Sequence, residues 1–171
     1  DSSGSTARVV QTSQGIAIRR GVDGADPHVW MDPTRAAQMV VTIGEAFATA
    51  DSQNAQGYRD RASSLRATLR ELDRELASQI AQVPPSRRTI VTDHDAFGYF
   101  TDRYGITVIG TIIPSVSSEA EPSSRDLTAL ATRIREGGAT AVFAESGLDP
   151  TLARALARES GVALGATLYA D

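Results

Sequence analysis

Apolar residues recur at three- and four-residue steps through the first half of the chain and in short continuous runs through the second. That change of period divides the sequence. Asp32 is placed to cap free N–H groups, and Pro33 fits a first helical turn, where its missing donor costs nothing. Behind them Ala36, Met39, Val40, Ile43, Ala46 and Phe47 share one face, which predicts a helix ending between Thr49 and Gln53. A longer helix is predicted over Asn54–Gln82. Tyr58, Ala62, Leu65, Leu69, Leu72, Leu76 and Ile80 carry its apolar stripe, and Arg66, Arg70 and Arg74 alternate with Glu71, Asp73 and Glu75 on a solvated face. Pro84-Pro85 stops it. At ~1.5 Å per residue such a helix reaches roughly 40 Å, long enough to brace two lobes and equally compatible with an ordinary surface helix.

Beyond Pro85 the pattern is α/β. Strands are predicted over Thr89–Thr92, Ile106–Ile113, Ala139–Phe143 and Val162–Tyr169. Helices are predicted between them: Ala96–Tyr104, a segment with Leu127, Leu130, Ala131 and Ile134 on one face that ends at Gly137-Gly138, and one running from Asp149-Pro150 to Ser160. Strands alternating with short helices specify a parallel sheet with right-handed crossovers. A polar loop, Pro114–Ser124, interrupts the series. Ahead of Asp32 the pattern is thin. Val9-Val10 marks a short strand within Ala7–Gln11, Gly15–Ile18 is a second apolar piece, Arg19–Ala25 reads as a loop, and the start, Asp1–Thr6, is polar and flexible.

Composition narrows the function. The 171 residues allow one domain or two small lobes, and 41% hydrophobic content supplies a core. A net charge of −4 disfavours nucleic-acid binding, and all 17 basic residues are Arg. The absence of cysteine excludes thiolate zinc sites, thiol nucleophiles and disulfides. No apolar run is long enough to span a bilayer, and the start does not read as a signal peptide; it suits a mature terminus, a loop or a cut end.

The candidate chemistry centres on the only two histidines. His28 lies in Asp26-Pro27-His28-Val29-Trp30-Met31-Asp32-Pro33, and His94 follows the apolar run Thr89-Ile90-Val91. Imidazole is the commonest metal ligand, although each ring alone could equally be a hydrogen-bonded histidine in a polar turn. Both lie at element boundaries beside carboxylates, Asp26 for one and Asp93 and Asp95 for the other. In a parallel sheet His94, Glu145 and Asp171 all fall at the carboxyl ends of strands, on the rim where open α/β sheets bind ligands. Glu145 could also be a helix-start carboxylate, and Asp171 a frayed end. A Ser146–His94–Asp171 triad can be drawn on paper but has no supporting local pattern, and no phosphate-binding loop or nucleophile elbow is present.

The motifs together resemble a family. The segment Asp26–Pro33 is similar to the DPHxWxDP motif of the extracytoplasmic solute-binding proteins of zinc and manganese ABC transporters, the zinc-uptake receptor type of cluster A-I. Val91–Phe100 resembles that family's strand, ligating histidine and aromatic helix. Glu121-Pro122-Ser123, Val142–Ser146 and Leu168–Asp171 resemble its EPS turn, its Glu-Ser strand end and its closing strand. The resemblance implies two α/β lobes joined by one long helix. The chain then divides into a remnant of the N-terminal lobe (1–53), the linking helix (54–83) and a C-terminal parallel-sheet lobe (84–171). It implies His28, His94 and Asp171 as metal ligands, with Glu145 orienting a histidine rather than ligating. It also implies a further histidine ligand early in the N-terminal lobe, ahead of this chain's start, so the sequence reads as a fragment. The implied function is capture of zinc (or manganese) outside the cytoplasmic membrane and delivery to a membrane ABC permease. The protein would act as a monomer, without catalysis and with only a small lobe motion. The alternatives are a metal-dependent α/β hydrolase using Glu145 as base and a surface adhesin of the same family.

Overall fold

The computed structural model describes residues 4, 6–21, 24–119 and 121–170. Most of the expected flexible start, part of the Arg19–Ala25 loop and Asp171 lie outside them.

A two-stranded antiparallel ribbon, β1 (Arg20–Gly21) and β2 (Gly24–Ala25), precedes a single 3-10 turn, Val29–Met31. Helix α1 (Pro33–Ala50) starts as the sequence predicts, with Asp32 accepting from the Thr34 N–H at 2.8 Å. Its buried stripe is not the predicted one. Ala37, Gly44 and Ala48 are buried, while Ile43 and Phe47 on the bulkier face stay exposed, Phe47 at 54%. The reason is the close approach of α2 (Ala55–Ala81): a Cβ on Gly44 would lie 2.6 Å from the Ala62 Cβ, so the helices meet through their smallest side chains. Phe47 instead stacks at the edge on Tyr58, centroids 5.4 Å apart. Val9-Val10 forms no strand, and Val9 is 83% exposed. A lone apolar pair with no partner strand has nothing to pair with.

No residue of α2 is fully buried, so the helix packs on one side only. Its later turns are pinned to α3 (Gly98–Tyr104) by Asp73, which accepts from Arg103 Nη2 at 2.7 Å and from the Tyr104 hydroxyl at 3.0 Å. The Arg103 bond holds the Asp73 carboxyl below the usual carboxylate range. A depressed carboxyl stabilises the fold above its unfolded value and loses that contribution as pH falls through the folded one. We expect Asp73→Asn to cost about 1 kcal/mol at neutral pH, the low end for charge-assisted bonds because Arg103 is partly solvated. It should also flatten the loss of stability below about pH 4, read from thermal melts across pH. An unchanged acid limb would mean that the Asp73 contact does not hold α2 in place.

The second half is a four-stranded parallel sheet, β3 (Thr89–Thr92), β4 (Thr107–Thr111), β5 (Ala141–Val142) and β6 (Ala163–Leu164), in the order β4-β3-β5-β6. Helix α4 (Ser124–Gly137) begins at a capping box between Ser123, the last residue of the predicted Glu-Pro-Ser turn, and Asp126. Helix α5 is Thr151–Ser160. Leu130, Ala131 and Ile134 of α4 pack with Ala153, Leu156 and Ala157 of α5 and with Val91 and Val142 of the sheet to form the main core. The predicted last strand, Val162–Tyr169, is broken. Gly165 N–H bonds to Val142 O and Leu168 N–H to Ala144 O, so three residues on one chain span two on the other. The extra residue is a bulge, and pairing resumes only at the Glu145–Leu168 bridge.

The order β4-β3-β5-β6 has a functional consequence. β3 connects outward through α3 to β4, and β5 connects the other way through α5 to β6. The neighbours β3 and β5 therefore flank a topological switch point, where loops diverge and leave a crevice at the strand ends.

Candidate metal centre

His94 and Glu145 follow the two strands that flank that crevice. Three hydrogen bonds hold the β3 exit in a tight turn: Thr92 Oγ1 to His94 O, Ala96 N–H to His94 O and Ile113 N–H to Asp93 O. The two strand ends are then laced together. Glu145 N–H donates to Asp93 Oδ2 at 2.7 Å, and His94 N–H donates to Glu145 Oε1 at 2.9 Å. Glu145 Oε2 lies 2.6 Å from His94 Nδ1. All three side chains are buried, His94 to 1% exposure. Burial raises the Asp93 carboxyl; the Glu145 N–H bond and nearby His94 oppose the rise, and the Glu145 charge adds to it.

His28 arrives from the other side, at the head of the 3-10 turn that precedes α1. Its carboxylate is local: Asp26 Oδ1 accepts the His28 N–H at 3.0 Å and lies 2.9 Å from His28 Nδ1. The two imidazoles meet edge to face with centroids 5.2 Å apart. The structure thus repeats one arrangement twice, a buried carboxylate against Nδ1 of each of two converging rings. A carboxylate at Nδ1 fixes the proton there and makes Nε2 the more basic, coordinating nitrogen. Trp30 packs its ring on His28 at 5.6 Å and donates from Nε1 to Ala170 O at 3.1 Å, which brings the last described residue to the His28 turn.

His28, His94 and Glu145 come together, and Asp171 lies outside the described residues. Among the described residues no three His, Asp or Glu side chains are grouped as a complete metal set. In the sequence Asp26 reads only as a neighbouring carboxylate and Tyr99 only as one of the aromatics that line the core or cleft near His94. Yet Tyr99 accepts the Arg19 N–H and donates to Asp26 O, and Arg19 Nη1 reaches Asp26 Oδ2. Nothing in the local sequence marks Arg19, which stands beside Arg20 ahead of a glycine-containing loop.

Over residues 1–171 the chain matches the family described as ZnuA, zinc-uptake complex component A, periplasmic. The chain belongs to that family. Among ZnuA-family relatives it is 35% identical, over 145 residues, to the high-affinity zinc uptake system protein ZnuA of Paracoccus denitrificans, covering 85% of this chain and 43% of that protein. It is 34% identical, over 151 residues, to the manganese-binding lipoprotein MntA of Bacillus subtilis, covering 85% and 49%. The chain spans less than half the length of these two relatives. Among solved structures, the laminin-binding protein Lmb of Streptococcus agalactiae, described as bifunctional with adhesin and metal-transporting activity, superposes with a TM-score of 0.85 at 27% identity. That superposition covers 96% of this chain and 62% of Lmb. The fold is therefore that of the ZnuA-type metal receptors: mixed α/β, with a parallel-sheet lobe and a long helix.

Proposed function

We propose that this chain captures a divalent transition metal, zinc in preference to manganese, outside the cytoplasmic membrane for delivery to an ABC transporter permease. His28 and His94 bind through Nε2 and Asp171 through its carboxylate. The observation that carries the reading is the pair of converging imidazoles, 5.2 Å apart, each with Nδ1 against a buried carboxylate. Two nitrogen ligands favour zinc over the oxygen-preferring manganese. Asp171 enters because its chain neighbour Ala170 is buried against Ala96 and Phe97 and is tied to Trp30, beside His28. Three protein ligands leave one position of a tetrahedral zinc for water or another side chain.

The division into a remnant of the first lobe (1–53), a linking helix (54–83) and a second lobe (84–171) belongs to the same proposal. The α2 helix acts as a rigid brace, so closure over the metal is small. Among the described residues no helix is long and apolar enough to cross a membrane. The periplasmic family and the lipoprotein relative support an extracytoplasmic site of action. Binding without turnover is the role we assign. Glu145, the one carboxylate suited to act as a hydrolytic base, has one oxygen on the His94 N–H and the other beside His94 Nδ1.

Calorimetric titration of zinc and manganese tests the ligand set. His28→Ala and Asp171→Ala should each weaken zinc binding by at least ~10-fold, the smallest change expected from disturbing a metal site. If both variants bind zinc like the parent, the site is elsewhere. A second role as an adhesin has one supporting observation, the likeness to Lmb. It predicts laminin binding that survives His94→Ala, measured on immobilised laminin.

A further inference from the structure

Arg19 occupies a position that neither its burial nor its sequence context requires. Its guanidinium stands among three carboxylates from two parts of the molecule: Nη1 lies 3.3 Å from Asp26 Oδ2 and 3.7 Å from Asp95 Oδ1, and Nε donates to Asp102 Oδ2 at 3.2 Å. Asp26 belongs to the segment that carries His28. Asp95 directly follows His94, and Asp102 lies on α3. The backbone of Arg19 is engaged as well. Its N–H donates to the Tyr99 hydroxyl at 2.8 Å, its carbonyl accepts the Asp26 N–H at 2.9 Å, and Tyr99 closes the loop by donating to Asp26 O at 3.0 Å. Room for this comes from Gly98, where a Cβ would sit 2.3 Å from Arg19 Nη1 and 2.4 Å from its Cζ.

Asp26 is fully buried and divides its carboxylate between two partners. Oδ1 serves the His28 N–H and Nδ1, and Oδ2 serves Arg19. A buried carboxylate without a cation is costly, and a planar guanidinium with several donors is suited to hold it while also reaching a second body. We infer that Arg19 is a positioning residue for metal binding, clasping the His28 segment to the His94 segment through Asp26 on one side and Asp95 and Asp102 on the other. This rests on the reading of His28 and His94 as ligands. It adds that their mutual distance is set by a cation outside the coordination sphere. The clasp does for the short N-terminal segment what Asp73 does for α2: it fastens an element that buries little of its own surface to the sheet lobe.

The test compares zinc affinity, zinc release to an excess of chelator, and the visible spectrum of the cobalt(II)-loaded protein in five variants. Arg19→Met removes the charge and keeps much of the stem. It should weaken zinc binding by about 10- to 100-fold, the range for groups that orient a ligand, mostly through faster release. It should also shift the cobalt bands, because His28 is no longer held in one orientation. Arg19→Lys should recover part of the affinity. Gly98→Ala, which displaces the guanidinium without touching a charge, should reproduce the Arg19→Met effect on release. Leu130→Ala, a core substitution remote from the clasp, should lower stability while leaving zinc affinity and the cobalt spectrum as in the parent. Zinc affinity of Arg19→Met and Gly98→Ala within twofold of the parent, with His28→Ala still defective, overturns the positioning role and leaves the ligand reading standing. Parent-like binding by His28→Ala overturns the ligand reading itself.

Discussion

Replacing His94 by Ala should lower zinc affinity by more than about 100-fold, beyond the range seen when only an orienting group is lost. On the proposed ligand set, the loss comes from the number of ligands and from what is left behind. With His94 removed, the sheet lobe offers no nitrogen ligand, and His28 is the only histidine that remains. The Glu145 Oε2 that faced the ring at 2.6 Å then remains buried beside a void. Such a site has lost one of the two nitrogen donors that favoured zinc, so whatever binding persists should discriminate less between zinc and manganese. Glu145→Gln is the informative companion. It preserves shape and can still accept the His94 N–H, but it removes the charge at Nδ1. A loss of about 10- to 100-fold is expected, smaller than that of His94→Ala. The same variant separates the receptor from a hydrolase. A general base gives turnover that collapses on amidation, whereas an orienting group changes affinity alone. Competition titrations with a chelator of known affinity measure both losses, and equal losses in the two variants would make Glu145 a direct ligand.

Much of the molecule is legible in the sequence, for identifiable reasons. Helix starts with local chemistry, Asp32-Pro33 and Asp149-Pro150, lie where the sequence predicts them because such a start is satisfied within a few residues. The parallel sheet followed from the alternation of short apolar runs with helices, and the rim placement of His94 and Glu145 followed from the sheet. What the sequence could not show was set by distant partners. The buried face of α1 differs from the predicted one because periodicity marks the bulky stripe, whereas the neighbour selects the small one, Gly44 against Ala62. The last strand is shorter than predicted because a one-residue bulge leaves no local signature. Arg19 carries no local signal for the same reason: its role depends on Asp95 and Asp102, more than seventy positions away.

The largest expected loss of stability comes from the core beneath the sheet. Leu130 is 1% exposed and sits among α5 and the strands, with its Cδ1 only 2.6 Å from where a Cβ on Gly110 of β4 would lie. Leu130→Ala should cost about 2–5 kcal/mol, lost transfer energy plus the cavity left where the sheet cannot collapse. Against a typical total of about 5–15 kcal/mol, that is a large share of the fold. The converse change overfills the same space: Gly110→Ala should cost about 1–3 kcal/mol by forcing Leu130 off its rotamer. Because the two changes act on one volume in opposite senses, they should not add. Gly110→Ala combined with Leu130→Ala places the new methyl where the lost one was, so the double variant should be more stable than the sum of the single losses predicts. Urea unfolding of the four proteins measures this coupling. Strict additivity would show that Leu130 and Gly110 do not share the contact, and that α4 is held on the sheet by other side chains.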